Sequence, residues 1–108
     1  MSDGQITIAL YRPYPGKERE LLDIVQRHVP TLRLEGYITE FASLHLQSED
    51  GTILEIFEWK SLSAKDQAHY SPAIQQIWDV MMQVAEMTTL STLPEATKVF
   101  PIWKQLHL

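Results

Sequence analysis

Glu40-Phe41-Ala42-Ser43-Leu44-His45-Leu46-Gln47-Ser48-Glu49-Asp50-Gly51-Thr52-Ile53-Leu54-Glu55-Ile56-Phe57-Glu58-Trp59-Lys60 reads as a β-hairpin. Residues alternate with period two on both sides of Ser48-Glu49-Asp50-Gly51, the pattern of strands with two unlike faces. If one face is to be all apolar, Ala42, Leu44 and Leu46 share it with Leu54 and Ile56. A three-residue loop, Glu49-Asp50-Gly51, sets Leu46 opposite Leu54 and Leu44 opposite Ile56, whereas a one-residue slip would turn every side chain over. Gly51 then falls where such a loop needs a left-handed residue, a second reason for the same register.

Working outward, Gln5-Ile6-Thr7-Ile8-Ala9-Leu10-Tyr11 is a further strand, stopped by Pro13 and Pro15. From Lys17 the period lengthens. Leu21, Leu22, Val25, Val29 and Leu32 mark an amphipathic helix that closes near Leu34-Glu35-Gly36, with Pro30 bending or shortening its last turn. After the hairpin, Ser63-Ala64-Lys65-Asp66 resembles a capping box. Ser71-Pro72 restarts a helix lined by Ile74, Ile77, Trp78, Met81, Met82 and Ala85. Val99-Phe100-Pro101-Ile102-Trp103 is expected to be a last short strand. The order β-α-β-β-α-β is that of an α+β, ferredoxin-like antiparallel sheet with helices on one face, in a single domain spanning residues 1–108.

Both helices are expected on the face built from Ile6, Ile8, Leu10, Ala42, Leu44, Leu46, Leu54 and Ile56. The opposite face carries Thr7, Ala9, Tyr11, Phe41, Ser43, His45, Glu55, Phe57 and Trp59. In the hairpin register His45 faces Glu55, Ser43 faces Phe57 and Phe41 faces Trp59. Exposed aromatic area of this kind marks a partner or ligand surface, so a homodimer is expected, stacked through this face with a cavity between the sheets. His45 beside Glu55 is a candidate general base, since the carboxylate orients the ring. His69, at the break between two helical segments, is a second candidate. His28 and His107 read as structural or incidental.

The chain has 108 residues, 44% of them hydrophobic and 21% charged, with a net charge of −5 and no basic run, which argues against nucleic-acid binding. No cysteine is present, so disulfides, thiolate nucleophiles and Cys-rich zinc sites are excluded. No close His or carboxylate spacing in sequence suggests a metal site. There is no long apolar run, and Met1-Ser2-Asp3-Gly4 has no charged-then-apolar leader. A cytoplasmic protein without membrane contact is the expectation.

Ile56-Phe57-Glu58-Trp59-Lys60-Ser61, then Ala68-His69, Ser71-Pro72-Ala73-Ile74 and Trp78, resemble the dimeric α/β-barrel superfamily, and within it antibiotic-biosynthesis-monooxygenase-like domains. In those, the third strand ends in a tryptophan, and the next helix carries a histidine and a small-residue–proline step. The resemblance spans the whole chain in topology and residues 55–78 in motif. It implies a homodimer that oxidises polycyclic phenols or quinols with oxygen and no cofactor, and for this chain a small aromatic or quinol substrate is expected. His69, His45 and Glu55 would serve catalysis, and Tyr11, Ser43, Phe57, Trp59 and Trp78 would bind the ring. Haem-degrading relatives use a histidine, a tryptophan and a first-strand asparagine. His69 and Trp59 match two of these, but the chain has no asparagine, which counts against haem breakdown and not against haem binding. The alternatives are a non-catalytic module holding a hydrophobic metabolite or haem, and a dimer whose barrel is simply a core.

Overall fold

A computed structural model describes residues 3–108; Met1 and Ser2, which begin the stretch tested for a leader, lie outside the described residues. The elements are β1 (Gln5–Pro13), α1 (Glu18–Leu34), β2 (Leu44–Gln47), β3 (Ile53–Trp59), α2 (Leu62–Ala68), α3 (Pro72–Val84), β4 (Ala85–Met87) and β5 (Lys104–Leu106). The strands form one antiparallel sheet in the order β4-β1-β3-β2-β5. The fold is thus α+β, and among the described residues no helix is long and apolar enough to cross a membrane.

The hairpin takes the expected register: Leu44 pairs with Ile56, His45 with Glu55 and Leu46 with Leu54. Gly51 has φ 93°, the left-handed backbone that a side chain would strain. Asp50 Oδ1 accepts the Thr52 N–H at 2.9 Å and so closes the loop through its own side chain. Pairing stops sooner than the alternation suggests. Ile38, not Phe41, bridges to Trp59, and residues 39–43 loop out. Arg33 at the end of α1 causes this, donating to the carbonyls of Thr39 (3.2 Å) and Phe41 (3.1 Å) and drawing the chain off the ladder. The expected Phe41–Trp59 and Ser43–Phe57 pairs therefore do not form.

The two faces are the reverse of the expectation. Tyr11, Ile53, Glu55, Phe57 and Trp59 lie beneath the helices, packed with Leu21, Ile24, Val25, Val29, Ile74, Ile77 and Met81. The aliphatic face looks outward. Leu10 and Leu54 are covered there by Leu93 and Trp103 of the segment before β5, while Ile6, Ile8 and Leu44 are 53%, 41% and 40% exposed. The physical reason lies in size and partners. The aromatic side offers the larger area to bury, and its one carboxylate, Glu55, finds donors on α1 as well as on the sheet.

Three smaller corrections concern ends. α2 is capped by Ser61, whose hydroxyl accepts the Ala64 N–H, two residues before the expected box. α1 continues through Pro30 to Leu34. The final strand is Lys104–Leu106, paired with β2, and Val99–Trp103 instead belongs to an irregular strap across the outer face. The Ser71-Pro72 start of α3 stands as read.

Candidate functional site

α1 places His28 on its buried stripe, one turn after Ile24 and Val25, so an imidazole enters an apolar layer and must find a partner there. It finds Glu55, which β3 points upward from the sheet. The carboxylate is fully buried and accepts three hydrogen bonds: Tyr11 Oη at 2.8 Å and His28 Nδ1 at 2.6 Å on Oε1, and His45 Nε2 at 2.8 Å on Oε2. Trp78 Nε1 donates to His28 Nε2 at 2.9 Å. An indole can only donate, so His28 is the neutral ring with its proton on Nδ1.

A continuous chain, Trp78–His28–Glu55–Tyr11, thus runs from α3 through α1 to β1. Burial pushes the Glu55 carboxyl up, but the bonds from His28, His45 and Tyr11 outweigh it and hold it at about 2. The charge of a protonated His28 counts toward that value, but the Trp78 N–H needs a free lone pair on the ring, so the hydrogen bonds carry the larger part. Burial, then the Glu55 charge and hydrogen bond, push the Tyr11 phenol well up and keep it protonated. Glu55 is therefore a fixed anion and a poor proton acceptor.

Beside this chain, between the sheet and the helices, lies an open cavity of about 400 Å³. Its floor is Thr7, Ala9 and Tyr11 of β1, its walls Trp59, Trp78 and His69, and its remaining lining Lys65, Met81, Met82 and Met87. His69, at the end of α2, stands edge-on to Trp78 with ring centroids 4.9 Å apart. Its Nδ1 lies 3.1 Å from the Lys65 carbonyl, which can only accept, so Nδ1 carries the proton and Nε2 is the basic nitrogen. The Gln75 amide donates to the His69 carbonyl and ties α3 to this corner.

The structure brings Tyr11, Trp59, His69 and Trp78 to one cavity. It does not bring Ser43, which stays in the 39–43 loop, nor Phe57, which is buried edge-on to His28 and Trp59. His45 and Glu55 form the expected pair, but they lie behind Tyr11 and outside the lining, so His45 does not face a ligand there. The cavity lies under the helices and not between stacked sheets. That correction follows from the reversed faces. His28, read as structural or incidental, is structural, the hub of the buried chain; its signal was a polar ring at a stripe position. Lys65 and the methionine wall were also missed.

A larger hollow of about 700 Å³ under the strap is lined by residues such as Glu95, Lys98 and Phe100 and holds no imidazole. Among the described residues no group of three or more His, Asp or Glu side chains is placed to hold a metal ion.

No family model matches this chain, and no curated protein matches it. Among solved structures it is similar to a conserved protein from Methanosarcina mazei Go1, with 16% sequence identity and a TM-score of 0.64 over 82% of this chain and 88% of that one. At that identity the likeness speaks to the fold alone.

Proposed function

We propose that this chain is an antibiotic-biosynthesis-monooxygenase-like protein of the ferredoxin-like, dimeric α/β-barrel type, oxidising a small aromatic phenol or quinol without a cofactor. The observation that carries this reading is His69: a tautomer set by the Lys65 carbonyl leaves a basic nitrogen at a cavity walled by Trp59, Trp78 and three methionines. The cavity has the size and apolar lining of a small-molecule site. In the reaction His69 Nε2 takes the phenolic proton, and the resulting carbanion-like anion reduces oxygen. One oxygen atom bonds to the ring carbon; loss of water from the hydroperoxide leaves a quinone carbonyl. The phenolic O–H, the ring C–H and O₂ thus become two C=O groups and H₂O, the histidine having returned its proton to the peroxide before water leaves.

The homodimer belongs to the same proposal. Its support is the half-open outer face, where Ile6, Ile8 and Leu44 form an apolar patch that a second sheet would cover. Oxygen uptake with hydroquinones and anthrone-like phenols tests the reading. His69→Ala should lose about 10²–10⁴-fold in rate, while His45→Ala keeps the activity because His45 serves Glu55. Tight binding of an aromatic ligand with no oxygen uptake would favour the non-catalytic binding module instead. Activity unchanged in His69→Ala would overturn the assignment of the base.

A further inference from the structure

We infer that the ligand of this cavity carries an ionised oxygen at one end, gripped by Lys65, and an apolar body at the other; this rests on the cavity being a ligand site. The cavity has a direction. Trp59 pairs with Gln5 and packs with Ala68 and Ile74, whereas Met87 pairs with Tyr11, and Met81 packs with it. From Thr7 to Tyr11 the floor runs about 13 Å, four strand steps. Lys65 and His69 follow Trp59 on α2 and so stand at the Thr7 end, and the methionines stand at the Tyr11 end.

The charge is also directional. In a chain of net charge −5, the cavity lining among the described residues contains one formal charge, Lys65, and no carboxylate. Glu55, opposite Ala9 at the middle of the floor, is outside the lining, and its oxygens are occupied by three donors. An ammonium in a partly enclosed, apolar-walled site attracts an anionic oxygen more than water at the open surface would allow. Methionine side chains at the other end adapt to a flat apolar body of imperfect fit. The chemistry is that of an aryl carboxylate or an acidic phenol, with His69 near enough to the same head to meet a neighbouring hydroxyl.

Calorimetric titration of the full chain with 2-naphthoate and with its neutral analogue 2-naphthylmethanol tests this. The carboxylate should bind about tenfold or more tightly than the alcohol, as a charge-assisted contact allows. Lys65→Met, which keeps the helix and the stem, should erase that preference, and Lys65→Arg should retain it. Equal binding of both probes to the unaltered chain would overturn the inference while leaving the cavity a ligand site. A preference that survives in Lys65→Met would overturn the role of Lys65. Failure of both probes to bind would remove the ligand site and the inference together.

Discussion

Glu55→Gln and Glu55→Leu should differ sharply, because the three donors are not evenly shared. Tyr11 and His28 both bond Oε1, and His45 alone bonds Oε2. A glutamine can place its carbonyl oxygen where Oε1 was, with two lone pairs for the same two donors. Its NH₂ then faces His45, which need only shift its proton to Nδ1 to accept. The expected cost is about 1–2 kcal/mol, the charge-assisted part of the bonds. A leucine leaves three buried donors without an acceptor at about 1–3 kcal/mol each. That total rivals the roughly 5–15 kcal/mol that holds a domain of this size folded.

The pH dependence follows from the same contacts. The carboxyl lies at about 2 in the fold against 4.5 as its ordinary value, so its contribution is full above pH 4.5 and is lost as pH falls towards 2. The corresponding ceiling is roughly 3 kcal/mol; a neutral His28, which lends no charge, keeps the real figure below it. Urea denaturation at a series of pH values from neutral to acid isolates this by difference: the stability gap between the native chain and Glu55→Gln should narrow steadily below pH 4.5. Parallel curves, or a Glu55→Leu as stable as Glu55→Gln, would refute the account of the buried anion.

Tyr11→Phe should cost about 1.5–3 kcal/mol by removing a donor to a charged acceptor, and thermal unfolding showing no loss would mean that the bond contributes nothing net. Trp59→Ala should destabilise by about 3–5 kcal/mol, and Trp103→Ala by clearly less, because Trp59 is buried in the core beneath the helices and Trp103 is half-buried on the strap; equal denaturation midpoints would contradict that placement. The proposed dimer should scatter light as twice 12.5 kDa and fall to a monomer in Ile8→Lys, which puts a charge in the open apolar patch. A monodisperse monomer of the unaltered chain at micromolar concentration would end that proposal. Gly51→Ala should lose about 1–2 kcal/mol from backbone strain alone, since no atom stands where the methyl group would go.

Local chemistry sufficed for β1, α1, α3 and the hairpin register, but not for β4, where Ala85 read as part of the helix, nor for the last strand, expected at residues 99–103. Alternation on both sides of a glycine-ended loop admits one register, and Leu44 against Ile56 follows from it without any distant contact. Ser71-Pro72 likewise starts α3 through the hydroxyl cap and the missing proline N–H, both of which act within one helical turn. The motif residues Trp59, His69 and Trp78 were legible as neighbours and do meet at one cavity.

Which face of the sheet the helices cover was a different kind of question. Period two separates two faces but carries no sign, and here each face held enough apolar area to serve as the inner one. The choice was made by residues far along the chain. His28, 27 positions from Glu55, supplies a donor that lets a carboxylate sit in the core, and Trp78, 50 positions from His28, completes its second nitrogen. Arg33 drew residues 39–43 off the ladder, and the strap with Leu93 and Trp103 took half of the outer face. Spacing along a strand records only neighbours in the sheet. The satisfaction of a buried charge depends on what lies above it, and only the packed tertiary structure decides that.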